Sequence, residues 1–342
     1  MATDLGSERP DAAPGGDGPT VRQHVSRPGE RTLERAAYLG YRTAEVVIGA
    51  LPRRLVLPVA AAAGNAAYDL AGSKADLIRA NMAQVLGLPA DHSSVSRAAR
   101  HAFQNYGQYL AEVMRLPTLT PARVRQMVTF HGWEQLAAAQ GSSETGLLLC
   151  AVHVGAMDLL GSAMTHEGEP VHVVADDTTY GQLYDHLRRV REAHGIQLIG
   201  WRRLRGLYRV LKSGGNLVLM CDGAYRPGDV PVSFLGAATT FPPGPALLSA
   251  RTGAAILPID ARRAGLARFD VWGFPVIRAA DSGPAEIHRA TQELANAMGS
   301  VIARDPGQWY MFRPVWPQTE AERRAAEVAL ERARRGEDWT TA

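Results

Sequence analysis

Two residues on either side of a glycine, His153 and Asp158, form the pair in this chain best suited to proton transfer. They fall in His153-Val154-Gly155-Ala156-Met157-Asp158, directly after the apolar run TGLLLCAV and before the helical segment LLGSAM. On one continuous helix, residues five apart lie about 140° from each other, on different faces. A turn between them removes that obstacle. With His153 at the end of a strand and Gly155 allowing a tight entry, Asp158 falls in the first helical turn, where the helix dipole favours a carboxylate. The expectation is a general base with its orienter: Asp158 fixes the imidazole tautomer, and the other ring nitrogen takes a proton from an attacking hydroxyl or amine. No serine nucleophile elbow accompanies it, so the base would act on the substrate's own nucleophile. The same spacing also fits a histidine capping a helix and an aspartate bonded to the helix N-terminus.

The elements that must position this pair are legible as texture. Residues 31–127 read as successive helical patterns. After them, short apolar runs (VTF at 128–130, TGLLLCAV at 145–152, VHVVA at 171–175, IQLIG at 196–200, NLVLMC at 216–221, AAILPID at 254–260) alternate with helix-like stretches at 132–140, 156–166, 179–194, 202–213 and 243–252. That alternation predicts an α/β layer structure with a largely parallel sheet. In such sheets functional groups collect beyond the carboxyl ends of the strands. A long helical pattern spans 284–304, and 319–338 reads as a charged, solvated helix. Residues 1–30 are Gly/Pro/Asp-rich without an apolar core, and read as a disordered tail and not as a signal peptide. We therefore expect one domain over 31–317, made of a helical extension (31–127) and an α/β core (128–317), followed by a charged tail at 318–342.

Composition bounds the alternatives. The 342 residues are 46% apolar and 21% charged, enough to build a core. Of 37 basic residues only Lys74 and Lys212 are lysines, so the net charge of +3 is carried almost wholly by guanidinium. This suits bidentate contacts with phosphate or carboxylate and equally reflects a GC-rich genome. Two cysteines, Cys150 and Cys221, cannot form a disulfide framework or a cysteine-rich zinc site, and the chain reads as cytosolic. The remaining histidines have no metal-ligand partners at useful spacing, so no metal is expected. No stretch has the roughly 18 uninterrupted apolar residues of a membrane span. The segment LERAAYLGYRTAEVVIGALPRRLVL, edged by Arg35, Arg42, Arg53 and Arg54, could lie in a membrane interface or cap the core. Six arginines between 188 and 205 could meet phosphates or simply face water. With one interleaved aromatic, Trp201, they fit nucleic acid poorly.

The motifs resemble those of the lysophospholipid acyltransferase superfamily, in the branch of bacterial lipid A lauroyl/myristoyl and phosphatidylinositol mannoside acyltransferases. The resemblance runs from about 31 to 317 and rests on HVGAMDLLG, on Arg191 four residues before Gly195, on LKSGGNLVLMCDGAYRPGDVPVSFLGAATTFPPGPALLSARTGAAILPIDARR, and on DPGQWYMFRPVW. It implies an α/β acyltransferase fold with a membrane-facing N-terminal extension, peripheral association with the cytoplasmic face of the membrane, and transfer of a fatty acyl group from an acyl-CoA or acyl carrier protein thioester to a hydroxyl of a glycolipid or related lipid. No further cofactor is implied. Position by position it makes His153 the base and Asp158 its orienter. Gly155, Arg191, Asp222, Gly223, Phe234, Gly236, Thr240, Gly244 and Pro245 become candidates for binding the substrate or acyl donor, with Asp222 and Gly223 on the site floor. Ala156 and Met157 replace an Asn-Trp usual in the phosphatidylinositol mannoside branch, Ala237 replaces a Glu, and Ala175-Asp176 replaces a common Tyr-Arg. These departures leave open a hydroxyl or amine of a specialised natural product as acceptor, and a catalytically silent lipid-binding protein.

Overall fold

A computed structural model describes residues 28–132, 134, 145–169, 171–175, 181–200 and 204–339. Asp176, Arg202, Arg203 and most of the helix-like stretch 132–140 lie outside the described residues, as does nearly all of the N-terminal tail.

The described residues open with four helices, α1 (Pro28–Ala50), α2 (Arg53–Leu70), α3 (Ser73–Leu86) and α4 (Ser93–Arg115), and a short α5 (Pro121–Arg125). Small residues let α2 and α4 cross closely: a Cβ on Gly64 would come within 2.2 Å of the Phe103 carbonyl oxygen, and one on Gly107 within 2.4 Å of that of Ala60. Arg115, at the end of α4, donates to the carbonyls of Ile48 and Leu51, both at 2.5 Å, and ties down the end of α1. Among the described residues no single helix is long and apolar enough to cross a membrane, and α2 with α3 carries such a run only across a 100° bend.

The strands follow as β1 (Val128–His131), β2 (Leu147–Ala151), β3 (Val171–Ala175), β4 (Ile196–Gly200), β5 (Asn216–Met220), β6 (Val230–Phe234), β7 (Ala237–Phe241), β8 (Ala255–Gly265) and β9 (Arg268–Gly273). Among the described residues seven form one sheet in the order β1-β9-β8-β2-β5-β3-β4, and every neighbouring pair is parallel except β8 with β9. The expected α/β fold with a largely parallel sheet is thus what forms. Central β2 is buried at all five positions, the signature of a parallel strand covered on both faces. Between the strands run α6 (Met157–His166), α7 (Gly181–Ala193), α8 (Leu204–Lys212) and α9 (Gly244–Thr252), and α10 (Pro284–Arg304) follows the sheet.

Two features differ from the expected pattern. A separate antiparallel hairpin, β6 with β7, projects beside the sheet, and β8 runs on past Asp260 to turn back as β9. The C-terminal helix α11 (Glu320–Arg334) is not wholly solvated. A capping box of Thr319 and Glu322 starts it, and Ala326, Leu330 and Ala333 bury one face.

Candidate active site

His153 lies two residues beyond the carboxyl end of β2, and Asp222 lies two residues beyond that of β5, the strand hydrogen-bonded to it. Adjacent strands are about 4.8 Å apart, so side chains just past their ends meet. His153 Nδ1 is 2.8 Å from Asp222 Oδ1. The backbone N–H of His153 and the indole N–H of Trp309 both donate to Asp222 Oδ2 at 2.8 Å. Asp222 is completely buried, and these three donors hold it in one orientation. With Asp222 ionised, the shared proton belongs on Nδ1 and Nε2 is left as the acceptor.

The charges are mutually stabilised. Burial works against the imidazolium, but the Asp222 carboxylate, through its charge and its hydrogen bond, outweighs it and raises the His153 pKa above 6.5; nearby Arg313 pulls the other way. For Asp222, burial favours the protonated acid, while His153 and Trp309 outweigh it and hold the carboxyl below its ordinary range. The His153 side chain remains 43% exposed, so its free edge faces outward from a buried anchor.

Asp158 does not orient His153 in this arrangement. It does enter the first turn of α6, but both of its oxygens are taken: Arg191 Nε donates to Oδ1 at 2.5 Å, Arg191 Nη2 to Oδ2 at 3.3 Å and the Tyr109 hydroxyl to Oδ2 at 2.8 Å. The physical reason is charge matching: α7 places a guanidinium against a buried carboxylate that would otherwise be uncompensated. Asp158 and Arg191 therefore brace the site wall, and the aspartate paired with the imidazole is the one expected on the floor.

Gly155 makes the turn between β2 and α6. Its φ is +63°, and a Cβ there would come within 2.0 Å of the Ala261 carbonyl oxygen, so only glycine fits. Its own carbonyl accepts from the Tyr310 hydroxyl at 2.9 Å.

His153, Asp158 and Arg191 share the lining of a cavity of about 180 Å³ with Tyr109, Tyr310 and apolar side chains of α6, β3, β4, β5 and β8. The other expected residues are elsewhere. Gly223 follows Asp222 outside the cavity lining. Phe234 is a core residue at the end of β6 against Phe241 and Trp316, and Gly236, with φ +86°, makes the β6–β7 turn. The Thr240 hydroxyl donates to the Arg226 carbonyl and accepts from its N–H, both at 3.0 Å. Gly244 and the buried Pro245 begin α9. These five therefore shape the hairpin and its return to the sheet, and do not touch the imidazole's cavity.

Three site residues had no assigned part at the outset. Trp309 and Tyr310 belong to DPGQWYMFRPVW, whose resemblance marked the segment without a role. Tyr109 sits at an ordinary apolar spacing on α4, and no local pattern distinguishes it.

Along 30–318 the chain matches the family described as bacterial lipid A biosynthesis acyltransferase. It is 28% identical to the phosphatidylinositol mannoside acyltransferase of Mycolicibacterium smegmatis over 300 residues, covering 85% of this chain and 94% of that protein. To the phosphatidylinositol mannoside acyltransferase of Mycobacterium tuberculosis it is 30% identical over 259 residues, covering 73% of this chain and 80% of the relative. A match of this extent, over a fold whose strand ends carry a paired histidine, makes the chain a member of the bacterial lipid A biosynthesis acyltransferase family, and an acyltransferase.

Proposed function

We propose that the enzyme transfers a fatty acyl group from an acyl thioester, of coenzyme A or an acyl carrier protein, to a hydroxyl of a glycolipid or related lipid, with His153 as general base and Asp222 as its orienter. The observation that carries this reading is the imidazole fixed through Nδ1 by a buried carboxylate, on a side chain that lines a largely apolar cavity.

In the proposed reaction Nε2 accepts the acceptor's hydroxyl proton as that oxygen attacks the thioester carbonyl carbon. The tetrahedral oxyanion collapses, the carbon–sulfur bond breaks, and the thiolate leaves with the proton held on Nε2. Ester and free thiol are the products, and the base returns to its starting form. Asp222 stabilises the transient imidazolium and does not itself take the proton. A positioned base of this kind contributes about 10²- to 10⁴-fold.

We place the enzyme at the cytoplasmic face of a membrane; the N-terminal helices support the membrane contact. Leu33, Leu39, Val46, Val47, Leu55 and Val59 are each more than half exposed on α1 and α2. Scattered exposed apolar residues are ordinary, but six on two successive helices fit an interface with lipid. Val47, Leu55 and Val59 of this set also line an apolar groove of about 970 Å³ between α2 and α4, with room for the hydrocarbon part of a membrane lipid.

The test is His153→Ala, assayed for transfer and for slow thioester hydrolysis in the absence of acceptor. The variant should fold and lose both activities, whereas full transfer by it would overturn the mechanism. Product mass spectrometry with hydroxyl and amine acceptors separates ester from amide formation.

A further inference from the structure

The cavity beside His153 and the groove between α2 and α4 are two compartments with aromatic rings between them. Tyr109 and Tyr310 line the cavity, while Tyr106 and Phe312 line the groove. Tyr109 stacks on Tyr310 with ring centroids 5.4 Å apart, Tyr106 is 5.4 Å from Tyr310, and Tyr106 lies 4.9 Å from Phe312 edge to face. Two hydroxyls pin the cavity side of this wall: Tyr109 donates to Asp158 and Tyr310 to the Gly155 carbonyl. An acyl group whose carbonyl lies at His153 Nε2 therefore finds its apolar space behind the imidazole, between α6 and the sheet, and not in the groove under the N-terminal helices.

That space is bounded. It runs along α6 from Met157, at the carboxyl ends of the strands, to Met164, and on the sheet side from Met220 to Ile196, the first residue of β4. From Met157 to Met164 the helix rises about 10 Å. An extended hydrocarbon chain advances about 1.3 Å per carbon given its ~1.5 Å bonds, so this length takes about eight carbons. Volume gives a similar answer: a cavity of about 150 Å³ takes a benzene ring, so 180 Å³ holds about seven carbons. Met164 closes the far end. The buried Met164 and Ile259 line both this cavity and a second void of about 20 Å³, whose lining includes Phe130, Leu149, Leu257 and Val271 and also His131, Gly132 and Gly273. Midway, Gly161 leaves room for Ile196, whose Cδ1 would be 2.8 Å from a Cβ on that glycine.

We propose that this enzyme selects a short acyl donor, with a chain of about six to eight carbons, and that Met164 and Ile196 set the limit. The inference rests on the acyltransferase reading above and narrows its substrate.

The test compares kcat/KM for butanoyl-, hexanoyl-, octanoyl-, dodecanoyl- and hexadecanoyl-CoA. Hexanoyl- or octanoyl-CoA should be best, with about tenfold or more lost as the chain overruns the cavity. Met164→Ala, which joins the two voids, should move the optimum to longer chains. Gly161→Ala, which drives Ile196 into the cavity, should move it to shorter ones. A hexadecanoyl optimum unmoved by either variant overturns the proposal, as does an optimum that moves with Phe312→Ala on the groove side. If no acyl-CoA is turned over, the acyltransfer reading with this donor fails instead. Thermal shifts with S-alkyl-CoA thioethers of the same lengths then still decide the chain limit, because a cavity of this size ranks hexyl and octyl above hexadecyl and the reverse ranking overturns it.

Discussion

His153 Nδ1 lies 2.8 Å from Asp222 Oδ1, a contact made across two neighbouring parallel strands by residues 69 positions apart in the chain. The backbone reinforces it, since the N–H of Cys221, the residue before Asp222, donates at 2.8 Å to the carbonyl of Ala151, the last residue of β2. The same carboxylate receives the His153 backbone N–H and the Trp309 indole, so ring orientation, tautomer and the path of the C-terminal segment are set by one buried group.

Asp222→Asn separates this role from a purely structural one. The reacting form of His153 is neutral, so kcat/KM falls as pH drops through its pKa, and with that pKa raised the wild-type acid limb lies above 6.5. The variant loses the carboxylate that raises the pKa and keeps the burial and Arg313 that lower it. Its acid limb should therefore move to lower pH while the plateau rate falls by about 10²- to 10⁴-fold. A pH–rate profile of kcat/KM checks both, and an unmoved limb with a normal rate would remove Asp222 from the mechanism.

Asp158 should behave as a brace. Its pKa is lowered because Arg191 and Tyr109 outweigh the burial that favours the acid. A carboxyl whose folded value is depressed contributes stability that is present above its unfolded pKa, near 3.8, and is lost as pH falls through the folded value. Asp158→Ala leaves the 21%-exposed Arg191 side chain uncompensated and should cost about 3–5 kcal/mol in urea denaturation at neutral pH. The double variant Asp158→Ala/Arg191→Leu should recover part of that loss. Equal costs for the single and double variants would show that the pair is not a brace.

Much of the site was legible from local text, and the pairing within it was not. His153, Gly155 and Asp158 announce a strand, a turn and a helix by their order alone, and Gly155 does occupy the turn. Which carboxylate reaches the imidazole depends on β2 lying next to β5, a long-range fact that no spacing near residue 153 encodes. Asp158 looked available because its own partner, Arg191, arrives from α7. The hairpin escaped for a different reason: VPVSF and AATTF are short, one carries Pro231 and the other is rich in small and polar residues, so neither shows a strand's apolar alternation. Tyr109 acquires meaning only when α4 is laid across the opening of the sheet.

Gly155→Ala tests the turn that aims His153. The added methyl must occupy a left-handed backbone conformation at about 1–2 kcal/mol and displace the Ala261 carbonyl, with overpacking of about 1–3 kcal/mol more. Unfolding should shift by that total, and transfer should fall because the Tyr310 contact to the Gly155 carbonyl moves with the turn. Gly223→Ala is the matched control, since a Cβ there meets nothing within 4 Å and should leave stability nearly unchanged. Comparable unfolding of both variants would show that the turn carries no special constraint.

The exposed apolar side chains of α1 make the membrane reading measurable apart from the chemistry. Leu39 and Val46 are 54% and 65% exposed, two turns apart on one helix, and neither lines the cavity of His153 or the large groove. Each apolar side chain fully buried in lipid contributes about 1.5–3 kcal/mol, so placing a carboxylate at both positions should lower partitioning by at least about tenfold. Wild-type protein should co-sediment with vesicles containing anionic phospholipid, and Leu39→Asp/Val46→Asp should remain largely in the supernatant. Hydrolysis of a water-soluble acyl thioester should be the same for both proteins, because the substituted positions lie outside the reacting cavity. Equal sedimentation of the two proteins would place the membrane contact on another face and leave α1 as a cap on the core.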